Sequence, residues 1–263
     1  MIRPYLFIIG LSLGLTLGHA SARPLTVMLD PGHGGEENKG APALMRPGTF
    51  EKKYALNLAY LIRNELRSKN VSVLLTRDGD VELGLKERVL MANRTNADLF
   101  ISLHLNSTEK PGPKGHATFF LAQEAADEAT RKLVEFENRE SKTLKPRLVD
   151  VPKDEQVGHI LLDLTRHRAQ QDSRRLAEII QARMRTTSPF PDRGVKQAPF
   201  GVLKGTSMPA VVCEIGFLNH VKEGLYITSD DGLKDIAKAI SLAILDYGDL
   251  IHFSRNQGKD RRK

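Results

Sequence analysis

Four side chains able to hold a metal and move protons stand where the sequence pattern ends an apolar run or begins a helix: His33, Glu51, His104 and Glu214. His33 lies in Leu29-Asp30-Pro31-Gly32-His33-Gly34-Gly35, where glycines let the backbone turn sharply beside an imidazole. His104 follows Asp98-Leu99-Phe100-Ile101-Ser102-Leu103, and Glu214 follows Ala210-Val211-Val212-Cys213, both short apolar runs of the kind that form buried strands. Two imidazoles and a carboxylate are a common ligand set for catalytic zinc, which keeps a fourth position open. Such a metal acidifies water and polarises a carbonyl, and a remaining carboxylate can relay the proton to a leaving amine. That is the machinery of amide hydrolysis. The competing reading for Glu51 is that an acid in a first helical turn merely complements the helix dipole. No helical HExxH pair occurs, which argues against a zincin-type protease, and His116, His159, His167, His220 and His252 read as structural or exposed.

The elements that must position these groups alternate along the chain. Leu25 to Leu29 reads as a strand and Glu36 to Gly48 as a loop. A helix is expected from about Glu51 to Lys69, with Ala55, Leu58, Ala59, Ile62 and Leu66 on one stripe. Val71 to Thr76 is a second strand, Leu83 to Asn96 a second helix, and Asp98 to Leu103 a third strand. This β-α-β-α-β order predicts an α/β domain with a mainly parallel or mixed central sheet flanked by helices. Right-handed crossovers then bring His33 and His104 to the same sheet edge, where ligands bind in open α/β folds. Ala117 to Leu121 is a further strand, and helical, charged sequence follows from Ala122 to about Ser141. A loop is expected at Lys145 to Gln156, with helices at Val157 to Arg166 and Gln171 to Arg185. The stretch 122–170 exceeds what a crossover needs and reads as a helical insertion. Gly201 to Leu203 and Ala210 to Cys213 are the last strand candidates, and Leu233 to Tyr247 closes the fold as a helix.

With 263 residues, 40% hydrophobic and 27% charged, the chain suits one domain with a sizeable core, expected at 23–252. Before it, Arg3, the apolar run Tyr5 to Leu17 and Ala20-Ser21-Ala22 have the make-up of a cleavable leader over residues 1–22. The run is short and glycine-broken for a retained membrane anchor, so export is expected, with no membrane span once the leader is removed. Cys213 is the single cysteine, which excludes an internal disulfide and any multi-cysteine metal site; between Val212 and Ile215 it reads as a buried hydrophobe. The net charge is +7, and part of the excess falls in a basic tail at 253–263, expected to be disordered. For an exported protein, such charge gives solubility or weak attraction to an anionic envelope polymer. Nucleic acid is not expected as a partner, since no recognition motif accompanies the charge and tryptophan is absent.

Seven segments in order, LDPGHGG (29–35), EKKYALNLA (51–59), LLTRDGD (74–80), LKERVLMAN (85–93), ADLFISLHLNS (97–107), FGVLKGTSMPAVVCEIGFLN (200–219) and the closing helix, resemble the zinc-dependent N-acetylmuramoyl-L-alanine amidases of the amidase-3 type. The resemblance spans nearly the whole sequence after the leader. It implies an enzyme that cuts the amide between N-acetylmuramic acid and the L-alanine of the stem peptide in peptidoglycan, with one zinc ion per chain. Position by position, His33, Glu51 and His104 match the zinc ligands and Glu214 the catalytic glutamate. Asp30 and Asn106 are candidates for orienting the ligands, on their adjacency alone.

The insertion resembles that of the cell-separation amidases of Gram-negative bacteria, in which a helix covers the zinc site until a LytM-like activator displaces it. Here Glu124, Asp127 and Glu128 are the candidate plugs, against the plainer reading of a solvated charged helix. With export by the leader, a periplasmic enzyme is expected, as a monomer, with peptidoglycan as the substrate the resemblance implies and a LytM-like activator as a candidate partner. One departure is Asn219-His220, where the family commonly has Ser-Asn. Rival readings are a wall-binding or activator protein without chemistry, and a zinc hydrolase acting on another wall bond as a deacetylase or peptidase.

Overall fold

In the computed structural model, which describes residues 23–108, 112–139 and 159–260, the apolar runs become neighbouring strands of one six-stranded sheet. The strands are β1 (Leu25–Pro31), β2 (Val71–Leu75), β3 (Leu99–Asn106), β4 (His116–Leu121), β5 (Asp192–Ala198) and β6 (Ala210–Phe217), in the order β2-β1-β3-β6-β4-β5. β2, β1, β3 and β6 run parallel, β4 is antiparallel to β6, and β5 is parallel to β4. The helices are α1 (Glu51–Leu66), α2 (Leu85–Arg94), α3 (Glu128–Arg139), α4 (His159–Thr187), α5 (Val221–Ile227) and α6 (Asp230–Asp260). The expected leader and the loop 145–156 lie outside the described residues.

The pleat sends successive side chains to opposite faces, so the sheet builds two cores. Val27, Leu29, Ile101 and Val211 face one layer, where Leu58 and Ile62 of α1, Leu176 and Ile180 of α4, and Ile236 and Ile240 of α6 pack together. Met28, Phe100, Phe119 and Val212 face the other, covered by Ala92 of α2, Leu133 and Val134 of α3, and Phe200 to Leu203. The central parallel strands β1, β3 and β6 are thereby buried on both sides, which explains why they read as continuous apolar runs. No helix among the described residues is long and apolar enough to cross a membrane.

Several boundaries differ from expectation. Gly201–Leu203 is a short 3-10 turn, not a strand. β5 went unrecognised because an edge strand carrying Arg193, Lys196 and Gln197 shows little apolar signal. The two helices expected between Val157 and Arg185 are one, α4, since neither Gly nor Pro interrupts them. α5 is also additional, capped by His220, whose Nδ1 accepts from the Glu223 amide at 3.2 Å. α6 continues to Asp260, so residues 253–260 of the segment expected as a disordered tail are helical, and no proline interrupts them.

Candidate metal centre

The parallel strands end at one edge of the sheet, and there the four singled-out residues meet. β1 delivers His33 into a left-handed backbone conformation, φ 59°, which a non-glycine residue seldom adopts. Glycines on both sides make room. A Cβ on Gly32 would run into the His104 imidazole, and one on Gly40 would lie 2.6 Å from His33 Cδ2 and 2.7 Å from Glu51 Oε2. Asn38, at the far side of the turn, places Oδ1 2.8 Å from His33 Nδ1, so the other ring nitrogen, Nε2, faces the cluster.

Glu51 is the first residue of α1 and is buried. Its Oε2 accepts from the Ala41 amide at 3.0 Å and its Oε1 from the Leu105 amide at 2.8 Å, which fixes the carboxylate between the two imidazoles. His33 Nε2 lies 2.9 Å from Oε2 and His104 Nδ1 lies 3.1 Å from Oε1. The rings themselves meet edge to face at 4.8 Å.

A fourth group joins them. Glu137, from α3, puts Oε2 3.2 Å from His104 Nδ1 and 3.6 Å from His33 Nε2. One donor atom from each of His33, Glu51, His104 and Glu137 lies within 4.8 Å of the others, all buried. Two imidazole nitrogens and two carboxylate oxygens converging in this way fit a zinc-sized cation. Burial raises the Glu51 pKa, but His33 and His104 outweigh it and hold the carboxyl well below its usual range. Burial likewise opposes charge on His104, yet Glu137 and Glu51 keep its pKa well above that of a free imidazole. The raised pKa of His104 reports the negative potential of Glu137 and Glu51, and the lowered pKa of Glu51 keeps that carboxylate ionised and able to ligate a cation.

Glu214 lies on β6, directly across from His104 in the strand register. It is buried, and neither carboxylate oxygen has a hydrogen-bond partner among the described residues. Burial, then the neighbouring Glu137 and Glu51, push its pKa well up despite the opposing imidazoles. A buried carboxyl left unsatisfied is costly and calls for an explanation in chemistry or a bound species.

The other expected site residues fall elsewhere. Asp30 does not touch the imidazoles; it accepts from Thr76 at 2.6 Å, Ser102 at 2.7 Å and Arg88 at 2.7 Å, beneath the His33 turn. Asn106 sits past a register shift between β3 and β6, where its backbone carbonyl accepts from Leu218, and among the described residues its side chain orients no ligand. Glu124, Asp127 and Glu128 are exposed and outside the cluster. Asp127 caps α3 through the Thr130 amide and pairs with Lys196, and Glu128 pairs with Arg131, so these acids serve the near end of the helix while Glu137 comes from its far end. The sequence carried a signal for Glu137: with Thr130, Leu133 and Val134 it completes the buried stripe of α3, an acid at an apolar position. Asn38 gave no such signal within a polar loop.

Comparison with known proteins agrees with this geometry. Residues 27–246 match the Amidase_3 family, N-acetylmuramoyl-L-alanine amidase. The chain is 32% identical to the amidase AmiA of Escherichia coli strain K12 over 238 residues, covering 90% of this chain and 80% of AmiA. It is 28% identical to AmiC of Neisseria meningitidis, covering 88% of this chain and 54% of that one. Among solved structures, an amidase from Clostridium difficile 630 superimposes with a TM-score of 0.66 at 25% identity, covering 87% of this chain and 98% of that one. AmiC2 of Nostoc punctiforme gives 0.63 at 26% identity, with 85% and 96% covered. With the family matched from the first strand into the last helix, and its strand edge carrying two histidines beside buried carboxyls, the chain belongs to the Amidase_3 N-acetylmuramoyl-L-alanine amidases, hydrolases of the peptidoglycan amide bond.

Proposed function

We propose that this amidase works with one zinc ion held by His33, Glu51 and His104, that Glu214 is its acid and base, and that Glu137 keeps the site closed until α3 is moved. The observation that carries the reading is the convergence of four donor atoms within 4.8 Å beside the unpartnered carboxyl of Glu214. Zinc in that position supplies a Lewis acid that acidifies water and polarises the scissile carbonyl.

The protein does the rest. Asn38 and the Ala41 and Leu105 amides hold His33 and Glu51 in the orientation that a cation needs. A Glu214 oxygen takes a proton from the attacking water as the oxygen bonds to the lactyl carbonyl carbon. The same group returns the proton to the amide nitrogen as the carbon–nitrogen bond breaks, leaving a carboxylate on the sugar and a free amine on L-alanine. Burial favours the protonated form of Glu214, which suits the second half of this cycle.

Glu137 takes the role that the sequence offered to Glu124, Asp127 and Glu128. Its carboxylate occupies the cluster beside both imidazoles, where it would stand in the way of substrate, and α3 is held by Leu133 and Val134 in the core, by Asn138 to Gly201 and Pro199, and by Asp127 to Lys196. A partner of the LytM-like kind would activate the enzyme by drawing α3 aside. The leader-like sequence at 1–22 and a peptidoglycan substrate support periplasmic action. Product analysis tests the chemistry. Digested sacculi should yield muramic acid ends with intact peptides beginning at L-alanine, and Glu214→Gln should abolish them; acetate release, or cleavage within the stem peptide, would overturn the reading.

A further inference from the structure

Three consecutive main-chain carbonyls of the His33 turn accept hydrogen bonds from two guanidinium groups. Arg88 donates from Nη1 to Pro31 O at 2.9 Å and from Nη2 to His33 O at 2.7 Å. Arg77 donates from Nε to Pro31 O at 2.9 Å and from Nη2 to both Gly32 O and Lys52 O at 2.8 Å. Both arginines are 2% exposed, although each lies more than 40 residues from the turn in sequence. Lys52 follows Glu51 in the first turn of α1, so Arg77 ties the backbone carrying one imidazole to the backbone carrying the carboxylate between them. The strained conformation of His33 is thus held from outside the turn.

We propose that Arg88 and Arg77 are positioning residues for the metal centre, fixing the His33 backbone and its spacing from Glu51 through the geometry of their donor forks. The inference rests on the zinc reading given above. A guanidinium reaches several carbonyls at once from one rigid plane, whereas an ammonium is a single point of charge on a flexible stem. Replacement by lysine therefore keeps the charge opposite Asp30 and removes the fork. The plain structural alternative is that Arg88 and Asp30, 2.7 Å apart, are only a buried ion pair that supports the core.

The test compares Arg88→Lys and Arg77→Lys with Ile236→Ala, a core change on α6 remote from the turn. Zinc dissociation constants are measured on the folded, full-length protein by competition with a chromogenic chelator, and unfolding midpoints are measured in the presence of EDTA. Both lysine variants should bind zinc roughly 10- to 100-fold more weakly, the range seen when partners of metal ligands are removed. Ile236→Ala should lower the midpoint and leave zinc affinity at the wild-type value. Folded lysine variants with wild-type affinity, or with a loss no larger than that of Ile236→Ala, would overturn the proposal. Should Arg88→Lys fail to fold, Arg77→Lys, which is outside the Asp30 pair, decides by the same criterion. Wild-type protein that binds no zinc would instead remove the metal reading, an outcome distinct from equal binding by wild type and variants.

Discussion

Replacing Glu137 by glutamine or alanine should switch the enzyme on. The side chain keeps nearly the volume of the original in the glutamine variant, so α3 retains its buried stripe of Thr130, Leu133 and Val134 while losing the charge that faces His104 at 3.2 Å and His33 at 3.6 Å. Taking the contact of the Glu137 carboxylate with the zinc-loaded cluster as at least equal to a hydrogen bond to a charged group gives roughly 1.5–3 kcal/mol, and about 1.4 kcal/mol is a factor of ten in an equilibrium. The open form should therefore become more populated by about tenfold to somewhat over a hundredfold, and the basal rate should rise with it until substrate binding limits. The upper end assumes that none of the burial penalty of Glu137 is returned, so the observed gain should fall toward the lower end. The assay is dye release from labelled sacculi by purified protein without activator, with metal content measured on the same sample. Glu128→Ala is the matched control, since Glu128 is exposed and among the described residues pairs with Arg131, outside the cluster, and it should leave the rate unchanged. A basal rate that stays flat or falls in Glu137→Gln, with zinc retained, would refute the closed-site reasoning.

Two other consequences concern the protein behind the site. Asp30 is buried; burial raises its pKa, but Arg88, Thr76 and Ser102 overcome that and lower it below 3.8. Its contribution to stability is then fully present above the unfolded value near 4 and is lost as pH falls through the folded value, so Asp30→Asn should cost about 3 kcal/mol or more at neutral pH and flatten the acid limb of urea-derived stability; parallel curves for wild type and variant below pH 4 would contradict this. The Cys213 thiol is pushed up to about 12, chiefly by burial, so iodoacetamide at pH 8 should label it only on unfolding, and rapid labelling of native protein would show that the β6 core is more open than described.

The residues proposed for the metal centre and its acid and base could be singled out in the sequence because each marks an abrupt change: His33 within glycines, His104 and Glu214 at the ends of apolar runs, Glu51 at a helix start. Parallel strands buried on both faces also announce themselves by continuous apolar composition, whereas β5, on the sheet edge and charged, does not. The residues that escaped notice share one trait. Glu137 in the stripe of α3 and Arg88 between Leu85 and Ala92 of α2 are charged groups at helix positions that periodicity assigns to the core. A charge is almost never buried without a partner, so each was pointing across the molecule to a group far away in sequence, which no local pattern displays. Asp30 illustrates the converse: adjacency to the site suggested contact with the ligands, while its carboxylate serves the arginine that holds their backbone.

The most direct test of the metal centre is the zinc content of the purified full-length protein, read together with the X-ray absorption edge of the bound ion. One zinc per chain with a nitrogen and oxygen ligand shell, lost in His33→Ala and in His104→Ala but kept in Glu214→Gln, is the expected result. Protein that carries no zinc and hydrolyses peptidoglycan undiminished after exhaustive chelation would contradict it.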